Sequence, residues 1–388
     1  MLSLENVDEV PFRTIYLSGL IRDPQGIKMS KTRGNVLDPL QLIDTYGCDA
    51  LRYAITVGNA PGSDTRLGPA KLEAARNFAN KIWNAARFVI RSIDGCDNLG
   101  NWKNPRPTCL EDRWILSRLN HLTIRVNSLM EEFQLGEVPQ AIHEFLWDEF
   151  CDWYIETSKF RLAEKDSITP APVLTHVLET TLRLLHPSMP FITEEIWQNL
   201  KSRLFDDDLD CPSILVAEYP EADYSLLDKE AEKTFEVIMN IVRAIRNIRA
   251  EFRINPSQYL DIIIEAGHLK SILQSESRNI RSVARVNKLE FAEGPTETLA
   301  KTSVTAFVGT VAIYVPLTDL VDFEKERLRL ESESRETISK IKQLNERLGD
   351  TKFTQRAPDD VVERERNRLE ELQVRYQRIE QTLTQIPT

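Results

Sequence analysis

The chain has 388 residues, of which 28% are charged and 41% hydrophobic, so it can build several domains and does not have a disordered composition. With 49 basic and 60 acidic residues it carries a net charge of −11, so any nucleic-acid binding must use local basic patches. The five cysteines form no Cys-x-x-Cys pair and the histidines lack metal-ligand spacing, so no bound metal is predicted. No apolar run approaches the ~18 residues of a membrane span, and a cytoplasmic protein without a membrane segment is predicted.

The first elements surround a lysine-rich loop. Residues 12–17 are β-branched and aromatic, and they predict a strand that the turn residues 23–26 close. The run Lys28-Met29-Ser30-Lys31-Thr32 follows, and its two ammonium groups can approach one polyphosphate and stabilise charge on a leaving pyrophosphate. Alone this is a weak signal, because most lysine-serine loops are simply solvated. Asp38-Pro39 predicts the start of a helix, and another is predicted after Gly47.

From residue 68 to about 252 the pattern is helical. Apolar residues recur three to four positions apart between Leu72 and Val89, which predicts one buried stripe. Five further helices are predicted, at residues 111–134, 138–163, 172–186, 191–204 and 228–253. Five tryptophans at helical positions are expected to pack in the core: Trp83, Trp114, Trp147, Trp153 and Trp197. A helical bundle is therefore predicted.

Two faces of this bundle are basic. Residues 66–91 contain six basic residues and one acidic residue, and a polar stripe lies opposite the apolar one, at Asn77, Asn80, Asn84, Arg87 and Arg91. Amides can read base edges while arginines hold phosphates, although a solvated helix face has a similar composition. A second face carries Arg243, Arg246, Arg249 and Arg253, for which salt bridges within the bundle and RNA contact are equally good interpretations.

After residue 256 the period changes. Strands are predicted at 259–264, 288–291 and 310–315, with a helix near 268–280, as in a small α+β module. The tail then has apolar residues in steps of three and four in two helical segments separated by about ten residues. An antiparallel coiled-coil hairpin is predicted over a dimerisation coil, because Ala357-Pro358 falls in the turn between the segments.

Several stretches together resemble class I aminoacyl-tRNA synthetases, and within them the valyl enzymes. The resemblance covers essentially the whole chain and is carried by the lysine loop followed by Gly34-Asn35-Val36-Leu37-Asp38-Pro39, by residues 76–85, 112–117, 187–197 and 246–251, and by the C-terminal hairpin with residues 353–366. The fold class it implies is mainly α, with a remnant of a Rossmann-type catalytic domain, a helical anticodon-binding bundle, a small α+β junction and the coiled-coil hairpin. The implied domains are residues 1–65, 66–256, 257–318 and 319–388 in that order.

The resemblance also implies roles. Lys28 and Lys31 would be catalytic in valyl-adenylate formation, with Lys31 the stronger candidate for the transition state, and Lys28 to Thr32 would bind ATP with Mg²⁺ as its counter-ion. The last position of the loop is Thr32 where the family has Ser, which keeps the hydroxyl. The residues implied in tRNA binding are Arg76, Asn77, Lys81, Asn84 and Arg87 in the bundle, and Arg347, Lys352, Phe353 and Arg356 in the arm.

The family's His-x-Gly-His signature and editing domain precede this loop, and neither occurs in the 388 residues. The expected function is therefore part of a valine–tRNA ligase that attaches valine to tRNA(Val) with ATP and is catalytically incomplete alone. Its expected partners are tRNA(Val) and a separately encoded N-terminal half, and a monomer is expected. The alternatives are a stand-alone tRNA-binding protein without catalysis or a truncated gene product, and the retained lysine loop argues against a pure binder.

Overall fold

The computed structural model describes residues 2–96, 99–163, 169–204, 211–255, 257–292, 303–316, 323–349 and 359–385. The chain divides into two compact units, Met1–Phe235 and Glu236–Thr388. Within the described ranges it is mainly helical, with two small sheets. The helical prediction is thereby confirmed at the level of fold class.

The first unit begins with short elements around the lysine loop. They are α1 (Leu2–Val7), β1 (Ile21–Arg22), α2 (Pro39–Tyr46), α3 (Cys48–Thr56) and β2 (Thr65–Arg66). Strand β1 pairs in parallel with β2, and Asp38 caps α2 by accepting from the backbone N–H of Leu40 at 3.0 Å, as its sequence predicts.

The predicted strand at residues 12–17 is wrong. That segment has no regular structure, and its side chains Phe12, Ile15 and Leu17 are exposed. A β-branched and aromatic composition favours an extended backbone, but a strand forms only when a neighbouring strand accepts its hydrogen bonds. Among the described residues no strand lies beside this segment.

A helical bundle forms the rest of the first unit. Its helices are α4 (Pro69–Asp94), α5 (Leu110–Glu131), α6 (Glu137–Glu144), α7 (Ile155–Ala163), α8 (Ala171–Leu185), α9 (Pro190–Lys201) and the start of α10 (Lys229–Glu251). Trp114 stacks on Phe235 with ring centroids 4.3 Å apart, and both rings are buried. Asp49 of α3 caps α9 by accepting from the N–H groups of Phe191 and Ile192, so α3 is tied to the bundle.

The predicted helix at residues 138–163 is interrupted. Between α6 and α7 the backbone is π-helical over Phe145–Tyr154. The buried side chains of this segment include Phe145, Phe150 and Tyr154, which are separated by steps of five and four residues. These steps exceed the 3.6-residue period of an α-helix, so the wider turn keeps all three aromatic rings on the buried side.

An ion pair is buried in this bundle. Arg161 donates to Asp112 Oδ1 at 2.6 Å and to Asp112 Oδ2 at 3.1 Å, and both side chains are less than a tenth exposed. The Tyr154 hydroxyl and Thr108 donate to the same carboxylate. Burial raises the pKa of Asp112, but the Arg161 guanidinium and these hydrogen bonds outweigh burial and hold the pKa below its usual value.

The second unit contains a four-stranded sheet with the order β4-β3-β6-β5, formed by β3 (Leu260–Glu265), β4 (Val286–Phe291), β5 (Ser303–Val308) and β6 (Val311–Pro316). The parallel pair β3–β4 is connected by α11 (Lys270–Ser275) and α12 (Ser277–Ala284), and β5 and β6 form a hairpin. The single helix predicted near 268–280 is therefore two helices, and β5 was not predicted because its alternation is weak.

The C-terminal helices α13 (Phe323–Gly349) and α14 (Asp359–Gln385) pack against each other. Arg347 contacts Glu365, and Ser334 contacts Glu380, so residues that rise in number on one helix meet residues that fall on the other. The pair is antiparallel, as the hairpin prediction requires. The seam includes the polar side chains Ser334 and Thr337, which are buried beside apolar ones such as Leu330.

Candidate functional site

The lysine loop is anchored at its base. Arg22 in β1 forms an ion pair with Asp64 at 2.5 Å, and Asp64 also accepts from the N–H of Leu20 at 2.7 Å. The turn that follows is closed by Asp23, whose carboxylate accepts from the N–H of Ile27 at 2.7 Å. The loop then leaves an anchored turn with Lys28 and Lys31 exposed and with Met29 and Ser30 half-buried.

The conformation of the loop depends on Asn35, which sequence analysis did not assign a role. Its Nδ2 donates to Asp23 Oδ2 at 2.9 Å, and its Oδ1 accepts from the N–H of Ser30 at 2.9 Å. Ser30 caps a short 3₁₀ turn over Lys31–Arg33 by accepting from the N–H of Arg33, and Gly34 ends that turn with φ of 68°. Asn35 therefore connects the two ends of the loop. Asn35 belongs to the run after the loop that carries the family resemblance, but its hydrogen bonds to Asp23 and Ser30 become visible only in the structure.

Replacing Asn35 by alanine is expected to free the loop. The hydrogen bond from Asn35 lowers the pKa of Asp23, so the pKa should rise in Asn35→Ala, and the amide of Ser30 should lose its acceptor. NMR titration of Asp23 and amide hydrogen exchange at Ser30 would measure both, with exchange at Ser30 expected to rise about tenfold. Asn80→Ala, on an exposed helix face, is the control. An unchanged Ser30 exchange rate would show that Asn35 does not fix the conformation of the loop.

The polar stripe of α4 is exposed as predicted. Asn77, Asn84 and Arg87 face solvent, whereas Phe78 and Ile82 on the opposite side are buried. The prediction for Trp83 is wrong, because this ring is 40% exposed and lies on the stripe. It lines a cavity of about 270 Å³ together with Arg87 and Arg91. Helical spacing alone could have placed Trp83 there, since it follows Asn80 by three residues.

Two of the basic residues on this helix have partners within the first unit. Lys81 contacts Asp152 at 2.8 Å and lies over the ring of Trp147, with its nitrogen 4.6 Å from the ring centroid. Arg76 lies over the ring of Tyr46 at 5.7 Å. Lys81 is half-exposed and Arg76 is exposed, so these contacts orient the two cations without burying them.

In the arm, only part of the predicted set can be described. Arg347 is half-exposed and forms an ion pair with Glu365 at 3.1 Å. Lys352, Phe353 and Arg356 lie outside the described residues. Within the described ranges no cluster of three metal-binding side chains occurs, and no helix there is both long and apolar enough to cross a membrane.

Comparison with known proteins identifies the family. Over 374 residues, 95% of its length, the chain is 46% identical to "Valine--tRNA ligase" from Dehalococcoides mccartyi, and it is 39% identical over 370 residues to the enzyme of that name from Carboxydothermus hydrogenoformans. The chain belongs to the valine–tRNA ligase family. It spans about 42% of the length of these relatives.

The valyl family is also recognised region by region. Residues 1–67 match class I tRNA synthetases (I, L, M and V), residues 112–264 match the anticodon-binding domain of tRNA ligase, and residues 322–387 match the valyl tRNA synthetase tRNA binding arm. These matches place the chain in the C-terminal portion of a valine–tRNA ligase. Among solved structures, the LeuRS in a ternary complex with tRNA and LeuAMS from Agrobacterium radiobacter is 23% identical to this chain, with a TM-score of 0.44. The match covers 56% of this chain and 25% of the LeuRS chain.

Proposed function

We propose that this chain supplies the phosphate-binding loop and the tRNA-binding surfaces of a valine–tRNA ligase, which joins valine to tRNA(Val) with ATP. The observation that carries the proposal is the succession of a class I synthetase segment, an anticodon-binding domain and a valyl-specific arm in one chain. We assign these roles to residues 1–65, 66–256 and 319–388, with a small junction at 257–318.

The lysine loop fits ATP by its chemistry. Two exposed ammonium groups, Lys28 and Lys31, can neutralise phosphate oxygens, and the exposed Thr32 hydroxyl can donate to them. The Ser30 oxygen already accepts from the N–H of Arg33, so its contribution is to shape the loop. Mg²⁺ would arrive with the nucleotide as its counter-ion. When ATP binds, the lysines would stabilise the negative charge that develops on the leaving pyrophosphate.

The exposed stripe of α4 fits RNA. Asn77 and Asn84 can hydrogen-bond base edges, Arg76, Lys81 and Arg87 can hold phosphates, and Trp83 offers a face on which an unstacked base can lie. The arm, through Arg347 and the tip residues Lys352, Phe353 and Arg356, would contact the tRNA at a distance from the anticodon. We propose a cytoplasmic monomer that works with a polypeptide carrying the His-x-Gly-His half.

Replacing Trp83 by alanine is expected to weaken tRNA(Val) binding about tenfold, because the loss of one stacked base costs ~1–3 kcal/mol. Filter binding at fixed salt would measure the dissociation constant. Phe191→Ala is a matched control, since Phe191 is also an exposed aromatic residue of the first unit but lies off the stripe. Equal affinities of wild type and Trp83→Ala for tRNA(Val) would show that Trp83 does not contact the tRNA.

Valine-dependent ATP–pyrophosphate exchange tests the catalytic part of the proposal. The 388 residues alone should give no exchange, because the His-x-Gly-His signature is not among them. Exchange should appear when a polypeptide bearing that signature is added. Exchange by this chain alone would contradict the proposed division of the active site, while tRNA(Val) binding without exchange under any combination would favour a non-catalytic binder.

A further inference from the structure

One face of α8 is polar although the helix is almost entirely buried. Twelve of its 15 residues are buried, and most of these are aliphatic. His176, Thr180 and Arg183 are separated by steps of four and three residues, which places them on one side of the helix. Polar groups in such an apolar setting destabilise a fold unless they find hydrogen-bond partners.

Two cavities of the first unit lie along this polar face. One has a volume of about 360 Å³ and the other of about 200 Å³, and Lys103, His176 and Arg183 line both. The rest of the described lining comes from residues 102–105 and 211–226 and from helices α5, α8 and α9. One water takes up roughly 30 Å³, so each cavity can hold a small organic molecule.

Part of the polar face is satisfied within the protein. Arg183 donates from Nη2 to Glu179 Oε2 and from Nη1 to the backbone carbonyl of Glu218, both at 2.8 Å. Glu179 Oε1 accepts from Nε1 of Trp197 at 3.2 Å. The charge of Arg183 is therefore compensated by Glu179. In each cavity the described lining carries as many carboxylates as lysine and arginine side chains, so its net charge favours an uncharged ligand.

Three groups on this face can hydrogen-bond such a ligand. Thr180 Oγ1 and Arg183 Nε are buried, and neither has a hydrogen-bond partner among the residues that the structure describes. Thr180 is only 6% exposed, so bulk water does not reach it freely. Burial, together with the charge of Arg183, lowers the pKa of His176 to about 4, so its ring is neutral at pH 7. One ring nitrogen bonds to the backbone of Lys103, and the other is an acceptor in the neutral ring.

We propose that the two cavities form one binding site for a small, uncharged, planar molecule that contains a cyclic amide. Its carbonyl accepts from Arg183 Nε and the Thr180 hydroxyl, and its N–H donates to the His176 ring. Trp102 and Trp197 are buried and line the larger cavity, where they offer apolar surface to the flat ring of the ligand. The site goes beyond the proposed function, because its ligand is neither ATP nor tRNA.

Uracil is the probe that tests this site, since it is a neutral ring with a carbonyl next to an N–H. Calorimetric titration of the 388-residue chain should give saturable binding with a Kd below about 1 mM. Dimethyluracil, methylated at both ring nitrogens, is the matched control. It keeps the ring and both carbonyls but has no N–H for His176, so it should bind at least about tenfold more weakly. No uracil binding up to about 10 mM, or equal affinity for the two compounds, would overturn the proposal.

The indole N–H signals of the tryptophans locate the bound uracil by NMR. Those of Trp102 and Trp197 should shift during the titration, because both rings line the larger cavity. The signal of Trp114, which stacks on Phe235, should not move. Shifts confined to Trp83 would place uracil on the exposed side of α4 and contradict the proposed site.

Thr180→Val separates binding from folding. Valine keeps nearly the shape of threonine and removes a buried hydroxyl, so the thermal midpoint should be unchanged or higher. The affinity for uracil should fall about fivefold, because its carbonyl loses one of two donors. Thr181→Val is the matched control, since Thr181 lies on the same helix, bonds to the Val177 carbonyl at 2.7 Å and is not among the described lining residues. Its affinity for uracil should be unchanged. A Thr180→Val variant that binds uracil as tightly as the wild type, whatever its midpoint, would overturn the role of this hydroxyl in the site.

Discussion

Replacing Arg161 by methionine is expected to lower the free energy of unfolding by about 3–5 kcal/mol at neutral pH, because it leaves the Asp112 carboxylate buried without its cation. Asp112 is 1% exposed and Arg161 7% exposed, so water cannot replace the lost partner. Chemical denaturation followed by circular dichroism would measure the change. Lys159→Met is the control, since Lys159 on the same helix α7 forms an exposed pair with Glu156 and should cost less than about 1 kcal/mol.

The loss of stability in Arg161→Met is expected to depend on pH. In the wild type the pKa of Asp112 is below its usual 3.8, so the pair contributes stability above that pH and loses it as the pH falls through the lower folded-state pKa. Without Arg161, burial is no longer outweighed and should raise the Asp112 pKa. The variant then gains relative stability when Asp112 takes up a proton, so its deficit should shrink between pH 7 and pH 4. A deficit that is small at pH 7, or constant with pH, would contradict this account of the pair.

Replacing Lys31 by alanine is expected to slow valine-dependent ATP–pyrophosphate exchange about 10²- to 10³-fold, the usual effect of removing one group that stabilises transition-state charge. The measurement needs both halves of the active site. A chimera in which this chain replaces the matching 42% of the Dehalococcoides mccartyi enzyme supplies them. Lys28→Ala should have the smaller effect, since Lys31 is the stronger candidate for the transition state.

The control for Lys31 must remove an equivalent charge elsewhere. Lys233→Ala does so, because Lys233 is exposed on α10 and lies outside the loop. It should leave exchange within about twofold of the parent, and the KM for valine should be unchanged in Lys31→Ala, since an interaction made only in the transition state acts on kcat. An exchange rate in Lys31→Ala equal to that of Lys233→Ala would exclude Lys31 from the chemistry.

How far the sequence predicted the fold depended on the range of the interactions involved. The long helices followed from a helical period, which one helix face fixes locally, and the antiparallel hairpin from the Ala357-Pro358 turn between two such segments. The strand at residues 12–17 failed because a strand also requires a neighbour, which composition cannot supply. The π-helical turns at Phe145–Tyr154 and the two helices α11 and α12 were missed because they depend on packing at particular residues.

The candidate sites show the same division. Lys28 and Lys31 and the stripe of α4 could be recognised because their chemistry and spacing are local to one loop or one helix. Asn35 bonds to Asp23, which lies twelve residues before it, so its role could not be seen before the fold was known. Trp83 was assigned to the core from its residue type, although its spacing from Asn80 placed it on the polar face.

Selective binding of tRNA(Val) tests the central claim most directly. Labelled tRNA(Val) and a non-cognate tRNA of equal length would be titrated with the chain at one salt concentration. Family membership and the surfaces on α4 and the arm predict saturable binding of tRNA(Val) that is at least about tenfold tighter than binding of the non-cognate tRNA, equivalent to ~1.4 kcal/mol. Equal affinity for the two RNAs, or no binding of either, would contradict the proposed role in valine–tRNA ligation.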